Sequence, residues 1–303
     1  MVWIVVGFAL LASAFTANKL LLYDLSPVFL VALRMTIPGL LLVGLYLKKR
    51  SVNLKWSHLI QDAKSLFIIC VCTTFVPALL KAYALKHLVS SEAVLIGSLD
   101  PFITAIYAYF LFSERLTWPK FFGILTGFLS IFVLISSKNP LDEGFYFKLV
   151  SLPILSAIGA VVIGRYGWIL TQKLLQANRY EPAEINGITM LVSGLCALIA
   201  SIVTKEVAPL SIFLDYRTIG LLAYTVVVGN LIAYNMYAYF LKMHKVTLIS
   251  FLGFIVPIFS HLYGRLFLSE PLSLKFVIAV ILACIGLRIY SVKKVTEETS
   301  KEM

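Results

Sequence analysis

GSLDPFITAIYAYFLFSERL, residues 97–116, decides how this chain is read, because a second stretch, GFIVPIFSHLYGRLFLSEPL, residues 253–272, falls on it at an offset of 156. Each is an apolar run with a proline near its start and Ser-Glu-x-Leu at its end. Extended back to Ala82 and Ala238, the overlay gives ten identities in thirty-five positions, with Tyr83, Lys86, Gly97, Pro101 and Tyr107 among the residues repeated. Beyond it, Gly123 and Gly127 land on Ala279 and Ala283. Upstream the offset slips: Met35 and Gly39 meet Met190 and Gly194 at 155, and Lys19 and Leu20 meet Lys173 and Leu174 at 154. A self-overlay of this length is the mark of an internal repeat.

The composition says what the repeat is made of. The 303 residues are 60% hydrophobic and only 14% charged, with a mean hydropathy of +0.93, against roughly 45–50% apolar and about 25% charged in soluble domains. Ten segments are apolar for the ~20 residues that a bilayer core requires: 2–22, 27–47, 65–85, 90–112, 120–137, 149–174, 183–204, 217–241, 246–268 and 274–292. The first is expected to be a retained span, since it has no basic lead and stays apolar past Ala12-Ser13-Ala14. The net charge of +11 does not point to nucleic acid, because the basic residues sit between apolar runs and not on one face with interleaved aromatics. Cys70, Cys72, Cys196 and Cys284 all lie in apolar runs without metal-ligand spacing, so they read as packing residues, with no metal or disulfide framework expected.

Ten spans put both termini on one side. With cytoplasmic termini, fifteen basic residues fall in the inside segments and span ends and six in the outside ones, so the positive-inside rule sets cytoplasmic termini. A five-span unit repeated once must insert its second copy upside down, giving residues 1–138 and 139–292 as two inverted halves, followed by a charged tail over 293–303. The expected fold is all-α, with ten transmembrane helices as two inverted five-helix repeats around a central cavity. Secondary transporters share this plan, because opposed units can open one midplane site to either side.

The residues that punctuate the repeat carry a resemblance. Lys19, Ser26-Pro27 and Arg34 across the first two spans, Pro101 with Ser113-Glu114-Arg115-Leu116, and Pro257 with Ser269-Glu270-Pro271-Leu272 resemble the EamA-type transporters of the drug/metabolite transporter superfamily over nearly the whole chain. The resemblance implies ten helices around a cavity, alternating access, no covalent cofactor, and export or exchange of small metabolites, often amino acids. It also implies an arginine near Arg34 whatever the substrate.

A charge in mid-span costs about 2.5–3.5 kcal/mol on insertion scales, so each needs a reason. Asp100, near the middle of 90–112, either faces the cavity as a contact for a cationic group or a proton carrier, or neutralises Arg34 or Lys81. Arg34 offers a donor fork for a carboxylate or holds helix ends. Lys81 and Arg265 stand nearer span ends, where such side chains can snorkel. Arg165, between glycines in GRYGW, lies deeper, and His261 and Glu92 are lesser candidates. Tyr83, Tyr107, Tyr237 and Asn230 are candidate cavity polar tips, with Asn235, Tyr234, Tyr239 and Tyr263 behind them. Pro101 withholds an N–H from the Gly97 carbonyl, and Pro257 does the same for Gly253, so both pairs read as hinges or kinks. The small-x3-small pairs Gly123/Gly127 and Ala279/Ala283 favour close helix contact, within the chain or in a homodimer.

These patterns weigh function classes. No H-E-x-x-H helix, pair of deep aspartates or nucleophile with a base suggests an intramembrane enzyme, no phosphate-binding loop suggests ATP-driven transport, and no repeated polar filter suggests a channel. No catalytic residue, metal or cofactor is expected. The expected function is secondary transport, in a bacterial inner membrane, of a small polar metabolite. Deep basic residues outnumber deep acids, which favours a carboxylate or phosphate, and Asp100 adds a place for an amine. A zwitterionic amino acid is the first expectation; S-adenosylmethionine, a nucleoside-like metabolite or a nucleotide sugar is the alternative.

Overall fold

The computed structural model describes residues 2–48, 56–112, 117–135, 151–209, 215–244, 249–250, 252–253, 255–269 and 274–291. The turn Ser113-Glu114-Arg115-Leu116, the triplet Glu270-Pro271-Leu272 and the tail over 293–303 lie outside the described residues. Among the described residues every regular element is helical, as it must be where lipid supplies no hydrogen-bond partner for the backbone.

The helices are α1 (Val2–Asp24), α2 (Pro27–Lys48), α3 (Trp56–Ile69), α4 (Val76–His87), α5 (Ser90–Gly97), α6 (Asp100–Phe112), α7 (Trp118–Ile135), α8 (Leu152–Gln176), α9 (Pro182–Val203), α10 (Tyr216–Tyr224), α11 (Tyr234–Met243), α12 (Ile255–Leu268) and α13 (Leu274–Ser291). A π-helical segment, Cys70–Phe75, joins α3 to α4, and another, Thr225–Ala233, joins α10 to α11. Among the described residues, seven helical stretches are long and apolar enough to cross a membrane: Val2–Asp24, Pro27–Lys48, Ile60–His87, Glu92–Leu111, Leu152–Gln176, Pro182–Val203 and Tyr216–Met243. Phe121–Ser130, Ile255–Leu268 and Leu274–Gly286 are shorter apolar helices. The architecture is that of an all-helical integral membrane protein, with Trp118, Phe121, Phe122, Leu125 and Phe132 of α7 among its exposed apolar side chains.

One expected helix is broken. Segment 90–112 divides at Ser98-Leu99, where the Ser98 and Leu99 amides donate to the carbonyls of Leu95 and Ile96, three residues back. Pro101 therefore does not kink a running helix. It sits in the first turn of α6, where a missing N–H leaves nothing unpaired. Pro257 likewise lies in the first turn of α12.

Close helix contact is made where side chains are small. α2 and α9 share the most extensive contact, and a Cβ at Gly194 would land on the Thr36 backbone, while one at Gly39 would land on that of Leu191. α7 and α13 form the next largest contact. There a Cβ at Gly286 would sit 2.8 Å from the Gly123 carbonyl and 3.1 Å from the Gly127 amide, so that small-x3-small pair meets α13 within the chain, and Ala279 and Ala283 are buried on the same helix. The first π segment is pinned to α9 by hydroxyls: Thr74 Oγ1 lies 2.6 Å from Ser193 Oγ and donates to the Thr189 carbonyl at 3.2 Å. Cys70 Sγ stands 3.1 Å from the same Ser193 hydroxyl, and all four cysteines are free.

Two caps tie helices from different parts of the chain. Lys19 Nζ donates to the carbonyls of Leu85 at 2.5 Å, Lys86 at 3.2 Å and Leu88 at 2.8 Å, where α4 ends. Gln172 Nε2 donates to those of Leu241 at 3.2 Å and His244 at 2.8 Å, where α11 ends. Each answers carbonyls that a helix terminus leaves without an internal donor. Beyond the Gln172 cap, Arg179 donates to Asp62 at 2.9 Å and to Gln61 at 3.2 Å, and the Tyr180 hydroxyl donates to Asp62 at 3.1 Å. Burial, then the Asp62 carboxylate, holds the Tyr180 phenol above its ordinary range.

The α2–α9 seam yields a direct test. Gly194→Leu is expected to lower the melting temperature of the detergent-purified protein sharply, since overpacking alone costs about 1–3 kcal/mol and here the obstacle is backbone. Gly220→Ala, with nothing within 4 Å of its added methyl, should leave melting unchanged or raise it. Equal melting of the two variants would refute the close approach.

Candidate functional site

The described helices line a cavity open to solvent, whose empty space, open solvent included, is about 1450 Å³. α1 supplies a stripe at helical spacing (Phe8, Leu11, Phe15, Asn18, Leu22), α2 gives Leu30, Arg34 and Met35, and α4 gives Lys81 and its neighbours. Gly97, Ser98 and Asp100 enter at the α5–α6 break, Trp168 from α8, Tyr234 and Tyr237 from α11, and Ser250, Gly253 and Val256 near α12. The break explains how Asp100 gets there: a new helix starting at Asp100 aims its first side chain inward, which a continuous helix would not have to do.

Asp100 meets Arg165. The two form an ion pair, and Arg165 Nε donates to Asp100 Oδ1 at 3.3 Å. Arg165 is 1% exposed, and a second guanidinium nitrogen donates to the Tyr237 hydroxyl at 3.1 Å. The side chain of Asp100 keeps 36% of its surface open. The sequence-based expectation that Asp100 would neutralise Arg34 or Lys81 is therefore corrected: the partner is Arg165, brought across by the packing of α6 on α8.

Arg34 is held on one side only. A guanidinium nitrogen donates to Asn230 Oδ1 at 3.4 Å, while its buried Nε has no hydrogen-bond partner among the described residues. Asn230, fully buried, stands behind Arg34 with its amide nitrogen 3.6 Å from Met35 Sδ. Lys81 opens into the same cavity and, among the described residues, meets no acid at ion-pair distance. The basic groups around the cavity thus outnumber its one acid. The same cavity has an aromatic wall, in which Trp168 meets Tyr237 edge-on with centroids 4.7 Å apart and Tyr234 at 5.7 Å, and Phe8 lies 6.2 Å from Tyr237.

Other expected cavity residues fall elsewhere. Tyr83 lies outside the lining and packs tilted against His87, with ring centroids 4.4 Å apart. The Tyr107 hydroxyl donates to the Val162 carbonyl at 3.0 Å, outside the lining. His261 is buried and stacks on Phe276 at 4.4 Å, between α12 and α13. Arg265 is exposed in the last turn of α12. Pro101 and Pro257 are buried behind the lining, though Gly97 and Gly253 belong to it. Asn235 bonds the Leu231 carbonyl at 2.9 Å and accepts from Asn186 at 3.0 Å, so it serves the backbone near the second π segment. The lining residues that the sequence did not single out include Asn18, Phe8, Phe15, Ser98, Ser250 and Trp168. All but Trp168 lack charge or an unusual neighbour, and Trp168 was visible only as the end of GRYGW.

This arrangement suits a solute with an anionic group, a cationic group and a flat apolar part. Comparison with known proteins agrees with a carrier. The model of the EamA-like transporter family matches residues 1–136 and 151–292. A Chlamydia muridarum protein named an S-adenosylmethionine/S-adenosylhomocysteine transporter is 29% identical over 92% of this chain and 87% of its own. A protein of the same name from Chlamydia trachomatis is also 29% identical, over 92% and 84%. An uncharacterized transporter of Archaeoglobus fulgidus is 26% identical over 95% and 97%. A solved crystal structure superposes with a TM-score of 0.68 over 95% of both chains at 19% identity, a likeness of fold alone. With two matches that together span nearly its whole length, this multi-pass membrane chain belongs to the EamA-like transporter family.

Proposed function

We propose that this protein is a secondary transporter of a nucleoside-bearing amino acid of the S-adenosylmethionine or S-adenosylhomocysteine type. The observation that carries the reading is one cavity holding both the half-satisfied guanidinium of Arg34 and the aromatic wall of Trp168, Tyr234, Tyr237 and Phe8. A carboxylate fits the first, since a guanidinium with unmet donors pairs with oxyanions in two-pronged geometry. A purine fits the second, and the partly open Asp100 oxygens face the ammonium or sulfonium between them. A bare amino acid, the first expectation from the charges, would leave the aromatic wall unused, and the names of the relatives from Chlamydia favour the larger solute.

The proposed machine is ten helices in two inverted five-helix units that alternate access to this cavity, in a bacterial inner membrane with both termini cytoplasmic. What supports the two-unit reading is that the same local devices recur at the repeat offset. The Lys19 cap answers Leu85 and Leu88, the Gln172 cap answers Leu241 and His244 at 156 residues further on, and the π segments begin at Cys70 and Thr225, 155 apart.

In proteoliposomes, labelled S-adenosylmethionine is expected to enter and to be chased by unlabelled S-adenosylhomocysteine on the far side, with no competition from leucine. Competition by simple amino acids alone would overturn the substrate assignment, and uptake without trans-stimulation would overturn the carrier. Arg34→Lys keeps the charge but loses the fork, so apparent affinity should fall about tenfold or more while the protein still folds.

The Asp100–Arg165 pair gives a second test. Asp100→Asn leaves a buried guanidinium without its anion, a change that costs about 3–5 kcal/mol, so folded yield should drop steeply. Asp100→Leu combined with Arg165→Met removes both charges and should recover the yield. Asp100 is engaged by Arg165 and is given no proton to carry, so any transport that this double variant keeps should show the pH profile of the native protein. A flattened profile would instead assign proton carriage to Asp100.

A further inference from the structure

Asn18 carries a buried amide oxygen for which the described residues supply no donor. It is 3% exposed, it lines the cavity, and its Oδ1 has no hydrogen bond among the described residues. The other deep amides are all engaged: Asn186 with Asn235 and the Tyr234 carbonyl, Asn230 with Arg34, Asn235 with the Leu231 carbonyl, and Gln172 with the carbonyls at the end of α11. Leaving a buried amide unanswered is costly. A helix that faces a ligand cavity can keep one when the ligand supplies the partner.

The neighbours of Asn18 say what that partner is. One turn earlier on the same stripe Phe15 presents its ring to the cavity, so a flat group lying against Phe15 would turn its edge toward Asn18. An amide offers an acceptor and donors side by side, in either assignment of its oxygen and nitrogen. That pattern matches the edge of adenine, where the exocyclic amine is a donor and the adjoining ring nitrogen an acceptor.

We infer that Asn18 is a specificity-determining residue that reads the polar edge of the purine by a two-pronged hydrogen bond, with Phe15 against the ring face. The inference rests on the nucleoside-bearing substrate proposed above and adds the residue that would separate adenine from an apolar ring of the same size. It also separates two tasks: Arg34 holds the carboxylate whatever the base, and Asn18 reads the base whatever the charge.

The test is competition against labelled S-adenosylmethionine on the purified full chain, by S-adenosylhomocysteine and by its 6-deamino analogue, in which hydrogen replaces the exocyclic amine. The native protein should prefer the adenine compound about tenfold or more. Asn18→Leu and the smaller Asn18→Ala should bind the two compounds within about twofold of each other, chiefly by losing affinity for the adenine compound. Equal binding of the two compounds by the native protein overturns the inference without need of a variant. So does a preference that survives in either variant. Native protein that binds neither compound overturns the substrate assignment, and this inference with it, whereas binding with no preference leaves that assignment standing.

Discussion

A guanidinium with almost no exposed surface can stay inside a membrane helix only if an acid is brought to it, and much of this structure follows from how Asp100 reaches Arg165. Unpaired charge in a low-dielectric interior is expensive, and pairing repays that cost only with good geometry and further hydrogen bonds. Arg165 has the acid and two hydrogen bonds: it donates through Nε to Asp100 and through a second nitrogen to the Tyr237 hydroxyl. The break at Ser98-Leu99 lets a helix begin at Asp100, and Gly167 lets α8 come close to the first π segment, where a Cβ at that position would strike Cys72 and Thr73. The pair thereby links α6, α8 and α11 at one point in the cavity wall.

Around that point the cavity is unequal in a way the frame is not. The end-capping of α4 and α11, the π segments and the first-turn prolines occur twice. Asp100 matches Val256 at the repeat offset, Lys81 matches Tyr237, and Arg34 matches Thr189. The paired features hold helices together; the unpaired ones reach into the cavity. The proposed substrate is equally lopsided, charged at one end and flat at the other.

Seven of the ten expected spans were legible because a bilayer sets their length, and the sequence repeat was visible because its two stretches share their punctuation. The wall of the site was harder to see. Periodicity predicts which residues share a face only along an unbroken α-helix, where each step turns about 100°. The π segments interrupt that count in the two stretches that carry Tyr83 and Tyr237, one of which turned out to lie outside the lining and the other within it. Choosing Arg165 over Arg34 and Lys81 as the partner of Asp100 required knowing that α6 and α8 touch, which no spacing along the chain encodes. Asn18 carried no charge and stood in an apolar run, so only its unanswered hydrogen bond, a three-dimensional property, distinguishes it from a packing residue.

The π segments also hold a record of chain length. On the two-unit reading, the offset between halves is 155 at Gly39 and Gly194 and still 155 where the π segments begin, but 156 by Ala82 and Ala238. The second half therefore has one extra residue inside this stretch. Its π segment is also the longer, nine residues against six. An insertion within a membrane helix would ordinarily rotate everything beyond it and turn the cavity face toward lipid. Wider turns absorb it locally, so the end of α11 still meets its cap from Gln172 as the end of α4 meets Lys19. The two halves have thus been free to differ in length at their centres without losing register at their ends.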